Sequence, residues 1–259
     1  MADEGNAAIL KGGKESVHTS SLLVEIISKA LSQTAIPSES IAYLTSRDQV
    51  SRLLSLTDQI DLVIPRGSNA LVSSIQASTR IPVMGHADGR CCIYVHEDAD
   101  FDIARDVVLD AKIDYPAACN AVETLLVHES LVANGHVRKV VEGLVEKGVE
   151  LRCEEDIRTA LGDTKGVVEA TQEDVVTEFL DLRIYIRSVK SLDEAINHIN
   201  TYSSHHTDSI ITTSAETAEQ FQRRVDSAGV YWNASTRYPF NYKINKDSRM
   251  DSDMDSVRK

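Results

Sequence analysis

The spacing of apolar residues changes repeatedly between helical and strand periods along the chain. Between residues 20 and 31 apolar side chains recur every three or four positions, which predicts an amphipathic helix capped by Thr19 or Ser20. The apolar run at 61–65 predicts a short buried strand, and Ser68 then opens a second helix. The first third of the chain therefore contains at least one strand, turn and helix unit.

The same alternation continues over the rest of the chain. Further strands are predicted at 81–84, 91–96, 124–128, 149–153, 180–188, 208–213 and 229–234, and further helices at 102–112, 134–147, 191–201 and 214–226. Residues 162–173 show little periodicity and are predicted to form a surface loop. Strands that alternate with helices require crossover connections, so the predicted fold class is α/β with a largely parallel sheet.

Composition divides the chain more coarsely. At 259 residues and 42% hydrophobic, the chain is long enough for two domains, or for one domain and part of another. From residue 238 the sequence is polar, charged and nearly free of apolar residues. Such a tail buries too little surface to offset its ordering entropy, so we expect 238–259 to be disordered.

Charge and hydropathy narrow the classes of partner. The formal net charge is −13 and no basic run is present, which argues against binding to nucleic acid or to anionic membranes. No apolar run reaches the roughly 20 residues of a membrane span, and the first residues do not resemble a secretory signal. We therefore expect a cytoplasmic protein with small-molecule or protein partners.

The four cysteines lie at positions 91, 92, 119 and 153. They form no CxxC pair and have no histidine spacing typical of a tetrahedral metal site, so no metal is predicted. In a reducing compartment each is a free thiol, which serves either as packing or as a chemical group.

Cys119 has the most suggestive surroundings of the four. Pro116 suits the first position of a helix and favours an extended Tyr115, which would place Cys119 in the first helical turn. Free backbone N–H groups and the helix dipole would there stabilise a thiolate, and with the Asn120 side chain they would hold an oxyanion. The alternative is a small apolar residue in a packed turn.

Several segments resemble gamma-glutamyl phosphate reductase, a branch of the aldehyde dehydrogenase superfamily. They are GNAAILKGGKES at 5–16, IDLVIPRGSNALV at 60–72, IPVMGHADG at 81–89, YPAACNAVETLLVH at 115–128, SSHHTDSIITTSAETAEQF at 203–221 and VDSAGVYWNASTR at 225–237. The segments occur in order and with similar spacing over most of the chain. The resemblance is therefore more specific than any single motif.

The resemblance implies a fold and a reaction. It predicts an aldehyde-dehydrogenase-like α/β protein with part of a Rossmann-type NADPH-binding domain at 1–86, a catalytic domain at 87–237 and a divergent tail at 238–259. Cys119 would attack the acyl phosphate of gamma-glutamyl phosphate, release phosphate and form a thioester that NADPH reduces to glutamate-5-semialdehyde, a step in proline biosynthesis.

The resemblance also assigns roles to individual residues. Cys119 and Asn120 would be catalytic; the cofactor would be bound by Lys11, Lys14, Arg66, Gly67, Ser68 and Glu178, and the substrate by His86, Asn233, Ser235, Thr236 and Arg237. The structural alternatives are solvated lysines, an ordinary turn at 66–68, an acidic residue before a strand at 178, a structural histidine and a surface ion pair at Arg237.

Two departures from the resemblance leave the activity open. Relatives extend further at both ends, so the chain is expected to be truncated, and the homo-oligomer implied for relatives does not transfer directly to it. The leading interpretation is a reductase, either stand-alone or part of a bifunctional synthase, with channelling from glutamate 5-kinase as a possible partnership. A second is an inactive partner of a full-length homologue.

A third interpretation is an aldehyde dehydrogenase that oxidises its substrate. Those enzymes hydrolyse the thioester with a water activated by a glutamate just before a Gly-Gly pair. The matching residues here, Val83, Met84, Gly85 and His86, include no carboxylate. The absence favours reduction over oxidation.

Overall fold

The computed structural model describes residues 5–85 and 88–237, except the side chain of Asn69. The chain divides into two compact units, Met1–Ala87 and Asp88–Lys259. Two sequence predictions, a substrate-binding His86 and a disordered tail at 238–259, lie outside the described residues.

The described part of the first unit contains two three-residue strands and three α-helices. Strands β1 and β2 pair in parallel, with Ile9 opposite Ala42. The elements in chain order are β1 (Ala8–Leu10), helix α1 (Val17–Leu31), β2 (Ile41–Tyr43), helix α2 (Arg47–Leu53) and helix α3 (Asn69–Ser78). Strand, helix and parallel strand in this order form one crossover unit of the α/β type.

Two strands predicted in the first unit are reduced to a single bridge. Val63 and Val83 form an isolated parallel bridge, in which Val63 N–H donates to Pro82 O at 2.9 Å and Met84 N–H donates to Val63 O at 2.9 Å. Pro65 and Pro82 have no N–H to extend the ladder. The predictions at 61–65 and 81–84 are therefore too long.

Helix α1 confirms the predicted amphipathic helix but begins earlier than predicted. Its first residue is Val17, and Ser16 at the N-cap position makes no side-chain cap hydrogen bond. None of its residues is buried, and Leu22, Leu23 and Ile26 are each more than half exposed. Among the described residues, no helix combines the length and the apolar character needed to cross a bilayer.

The second unit contains a larger sheet. In chain order its elements are β3 (Cys91–Val95), α4 (Phe101–Ile113), β4 (Val122–His128), α5 (Glu129–Ala133), α6 (Val137–Glu146), β5 (Glu150–Cys153), α7 (Glu155–Leu161), β6 (Val167–Glu169), β7 (Arg183–Val189), α8 (Leu192–Tyr202), β8 (Thr207–Ile211), α9 (Ala215–Arg224) and β9 (Gly229–Trp232). The strands form one seven-stranded sheet in the order β6-β5-β7-β4-β3-β8-β9.

Every strand pair in this sheet is parallel, so the predicted α/β class with a parallel sheet is confirmed. The expected loop at 162–173 is wrong in part, because it contains the edge strand β6, and the sequence pattern does not predict the short helices α5 and α7. This strand has only three residues and pairs Val167 with Leu151. A strand so short leaves no detectable period in the sequence.

The core lies on both faces of the sheet. Strands β3, β4 and β8 are buried at every position, which is typical of parallel strands covered by helices on both sides. One apolar cluster packs beneath α4, α6 and α7, and a second packs beneath α8 and α9. These three strands therefore present no exposed side chain within their own length.

Replacing Leu125 in β4 by Ala should lower the free energy of unfolding by about 2–5 kcal/mol, because the side chain is fully buried and the variant leaves a cavity. Urea unfolding followed by circular dichroism measures the loss. Leu182→Ala is the matched control, since Leu182 is 40% exposed and should change stability by less than about 1 kcal/mol. Equal losses would contradict the placement of the core.

His198 in α8 should make the free energy of unfolding decrease as the pH is lowered. Burial, and then the nearby charge of Arg187, lowers its pKa from 6.5 to about 4. The unfolded chain takes up this proton first, so the stability present above pH 6.5 is lost as the pH falls towards 4. Between pH 7 and pH 5 the loss should be about 2 kcal/mol.

His198→Phe isolates this contribution. The imidazole packs against Tyr185 and Tyr202, at ring distances of 6.5 and 4.9 Å, and a phenyl ring preserves that packing. Urea unfolding at both pH values should show the smaller pH dependence in the variant. The same pH dependence in both proteins would show that His198 does not titrate as described.

Candidate active site

Cys119 lies in a tight turn at the amino end of β4. Residues 115–120 form consecutive turns, with Ala118 N–H donating to Tyr115 O at 3.0 Å and Ala121 N–H donating to Ala118 O at 2.9 Å. Tyr115 has a φ of 56°. The predictions that Tyr115 is extended and that Pro116 begins a helix are therefore wrong, because the chain turns directly into the strand.

The turn is packed tightly against Gly89. A Cβ atom on Gly89 would lie 2.0 Å from Cys119 O and 2.5 Å from Cys119 Cα, so only glycine allows the two backbones to approach this closely. Cys91 Sγ also donates to Cys119 O at 3.4 Å. The backbone of Cys119 is held from the side of β3, while its side chain is exposed.

Backbone amides remain available beside the thiol without a helix. The N–H groups of Cys119 and Asn120 donate to no residue among those described. The Asn120 side chain is buried, and its Oδ1 accepts a hydrogen bond from Arg237 Nη1. A guanidinium only donates, so this contact fixes the oxygen towards Arg237 and leaves the Asn120 amide NH₂ as a further donor.

Arg237 reaches this turn from the segment that follows β9. Its Nη2 lies 3.4 Å from an oxygen of Asp114, and its backbone N–H donates to Ser235 Oγ at 3.1 Å. Its Nε is buried and has no partner among the described residues. The structure thus brings Asn120, Ser235 and Arg237 together, and it also shows the ion pair that the structural alternative anticipated.

The other two predicted substrate residues on this segment have different surroundings. Asn233 makes two 3.0 Å hydrogen bonds with the backbone of Thr212, accepting from its N–H and donating to its carbonyl. With a φ of 50°, Asn233 shapes the turn after β9. Thr236 is fully buried, and its hydroxyl has no hydrogen-bond partner within the described part of the chain.

Glu178 lies in the same neighbourhood. Its Oε1 accepts a hydrogen bond of 2.8 Å from Gly89 N–H, the residue that packs on Cys119. Glu178 is half-buried, and its second carboxylate oxygen makes no hydrogen bond to the described residues. The structure therefore connects Glu178 to Cys119 through a single glycine.

The remaining cysteines are packing residues. Cys91, Cys92 and Cys153 are buried. Burial raises the pKa of Cys91 and Cys92 well above its usual value and raises the pKa of Cys153 to about 12. These thiols stay protonated, so Cys119 is the cysteine available as a nucleophile.

Sequence reasoning missed two features of this site. The first is Gly89, which follows the sequence His-Ala-Asp. Only the structure shows that it must be glycine, because its backbone lies against that of Cys119. The second is a buried ion pair in which Lys112 Nζ lies 2.7 Å from Glu123 Oε2. A lysine near the end of a helix and a glutamate inside an apolar strand carry no local sign that they will meet.

The predicted cofactor residues of the first unit are all exposed. Ser68 caps α3, its hydroxyl accepting from Leu71 N–H at 3.4 Å, and Gly67 before it has a φ of 155°. The other three are Lys11, Lys14 and Arg66. A capped helix start with free N–H groups and a nearby cation can hold a phosphate. Within residues 5–85 and 88–237, no cluster of His, Cys, Asp and Glu could hold a metal.

Comparison with known proteins gives a consistent result. The model of the aldehyde dehydrogenase family matches residues 3–181. Gamma-glutamyl phosphate reductase 1 of Synechocystis is 47% identical over 234 residues, which are 90% of this chain and 53% of that protein. The Saccharomyces cerevisiae reductase is 46% identical over 252 residues, which are 90% of this chain and 55% of that protein.

Solved structures agree. The gamma-glutamyl phosphate reductase of Thermotoga maritima superposes with a TM-score of 0.84 at 40% identity, covering 90% of this chain and 56% of that one. The NADP-dependent glyceraldehyde-3-phosphate dehydrogenase of Bacillus halodurans shares the fold, with a TM-score of 0.68 at 22% identity. The chain spans about half the length of the curated relatives it matches.

Three observations agree: an exposed cysteine before a strand of a parallel sheet, the match to the family model, and the similarity to gamma-glutamyl phosphate reductases. This chain belongs to the aldehyde dehydrogenase family.

Proposed function

We propose that the chain carries the cysteine site of a reductase that converts L-glutamyl 5-phosphate into L-glutamate 5-semialdehyde and phosphate with NADPH. The observation that carries the proposal is Cys119, an exposed thiol on a turn where the N–H groups of Cys119 and Asn120 have no partner among the described residues. Similarity to reductases of that name over 90% of the chain supports the choice of substrate.

The chemistry follows from the turn. Cys119 Sγ attacks the acyl carbon, the bond from that carbon to the phosphate oxygen breaks, and phosphate leaves with the electron pair of that bond. The proton of the thiol is released to solvent or to the departing phosphate. The carbonyl oxygen is negatively charged in between, and the N–H groups of Cys119 and Asn120, with the Asn120 amide, would stabilise it. The product of this half-reaction is a thioester on Cys119.

The second half-reaction needs hydride, which a bound nicotinamide cofactor supplies. Lys11, Lys14, Arg66, Gly67 and Ser68 would bind its phosphates. Ser68 caps the start of α3, where the helix dipole favours an anion, and the two lysines and Arg66 are exposed cations of the same unit. Glu178 fits a ribose hydroxyl, since one of its oxygens is already held by Gly89. Two NADP complexes among the structural neighbours support a nicotinamide cofactor.

Arg237 would contribute charge on the substrate side. Its guanidinium is largely buried and has one unpartnered donor among the described residues, which suits a carboxylate or phosphate oxygen. Ser235 and Thr236 would add hydroxyls beside it. Val83, Met84 and Gly85 include no carboxylate to activate water, which favours reduction of the thioester over its hydrolysis.

A second candidate is a protein without activity that pairs with a full-length relative. The observation that favours it is the apolar surface of α1, where Leu22, Leu23 and Ile26 are each more than half exposed. The two candidates differ in the reactivity of Cys119, because only an intact site protects its thiol when substrate is bound.

Cys119→Ala should abolish the reductase activity, with a loss of at least about a thousandfold, because no other exposed thiol can form the thioester. The assay is the reverse reaction, oxidation of glutamate-5-semialdehyde dependent on NADP and phosphate. Cys153→Ala is the matched control and should keep the activity, since Cys153 is a buried packing residue. Turnover retained in Cys119→Ala would overturn the mechanism, and no turnover by the folded parent chain would favour the second candidate.

Gly89→Ala should displace the Cys119 turn, because the added methyl group would overlap the Cys119 backbone. We expect at least a tenfold slower reaction of Cys119 with iodoacetamide, measured by mass spectrometry, and a similar loss of turnover. Gly143→Ala in α6 is the control, since its nearest contact is a flexible Leu109 side chain at 3.1 Å. Unchanged alkylation in Gly89→Ala would show that the contact does not hold the turn.

A further inference from the structure

The buried ion pair of Lys112 and Glu123 lies at the start of β4, where the Cys119 turn enters the strand. Lys112 is in the last turn of α4 and is 0% exposed, and Glu123 is the second residue of β4 and is 1% exposed. Burial raises the pKa of Glu123 and lowers that of Lys112, so each group needs the other to stay charged. A buried pair of this kind adds little net stability compared with apolar residues of the same volume.

The remaining hydrogen bonds of the pair reach two segments of the candidate site. Lys112 Nζ donates to Val122 O at 2.9 Å, at the point where the Cys119 turn enters β4. Glu123 Oε1 accepts from Leu180 N–H at 3.1 Å. Leu180 follows Glu178 by two residues and has a φ of 59°, a left-handed conformation that is costly for leucine and needs outside support.

These contacts continue to the thiol. Glu178 accepts from Gly89 N–H at 2.8 Å, and Gly89 packs on the backbone of Cys119. The segments before β3, β4 and β7 are thus connected by two hydrogen bonds and one close backbone contact, with the ion pair at the buried end of the series. An apolar pair could fill the same volume but would accept no hydrogen bond from Leu180.

We infer that Lys112 and Glu123 are positioning residues, which fix Glu178 and the Cys119 turn relative to each other for the reductase reaction. This inference rests on the proposed function, because it assigns Glu178 to the nicotinamide ribose. Loss of the pair should therefore weaken cofactor use and slow turnover, apart from any effect on folding.

Two double variants of the full chain separate positioning from stability. Lys112→Met with Glu123→Leu removes both charges and the acceptor for Leu180. Lys112→Met with Glu123→Gln also removes both charges but keeps an amide oxygen that can accept from Leu180 N–H. Removing both partners avoids the isolated buried charge that a single substitution would leave.

We expect the Met/Leu variant to fold, and in the same NADP-dependent and phosphate-dependent assay to raise the KM for NADP at least tenfold and to lower kcat. In the same protein the amide of Leu180 should exchange with deuterium at least tenfold faster, and alkylation of Cys119 by iodoacetamide should change in rate. The Met/Gln variant should return the KM and the exchange rate to within about threefold of the parent chain, a rescue that a purely structural role does not predict.

The exposed ion pair of Arg158 and Glu169 provides the control. Arg158→Met with Glu169→Gln should leave KM, exchange and alkylation unchanged. Parent-like KM and Leu180 exchange in the Met/Leu variant would overturn the inference, as would equal defects in the two double variants. If the parent chain shows no turnover, the proposed function fails, and the exchange and alkylation rates alone decide whether the pair holds the two segments.

Discussion

Burial of the parallel sheet on both faces is the constraint on which the second unit depends. Every residue of β3, β4 and β8 is buried, so these strands have no exposed face on which to carry a reactive group. Because the strands are parallel, their amino ends lie at the same end of the sheet. Gly89 and Cys119 precede the adjacent strands β3 and β4, and their backbones are in contact at that end.

The contact between the backbones of Gly89 and Cys119 positions the thiol, a role that the sequence analysis assigned to a helix start. A helix start would have offered free N–H groups and a dipole near the thiol. The turn before β4 offers the free N–H groups without the dipole, and Gly89 and the Asn120 to Arg237 contact keep it in place. Electrostatic stabilisation at such a site depends on donors that are already positioned, and both contacts serve that purpose.

The two units carry different parts of the proposed chemistry. The second unit contains the proposed nucleophile Cys119, Glu178 and the proposed substrate residues Ser235, Thr236 and Arg237. The first unit contains the residues proposed to bind the cofactor phosphates, which lie in loops and at the start of α3. None of the residues of helix α1 in this unit is buried. Relatives of this chain are about twice its length, so their activity does not by itself establish the activity of this chain.

The sequence by itself determined the α/β class, the long helices, the buried strands and Cys119 as the candidate nucleophile. Those features can be read from the local spacing of apolar residues and from the segments that resemble gamma-glutamyl phosphate reductase. Tertiary structure decided that the Cys119 segment is a turn, that Gly89 is pressed against it and that Lys112 meets Glu123. These outcomes depend on contacts between distant segments, whose energies outweigh local preferences such as that of proline for a helix start.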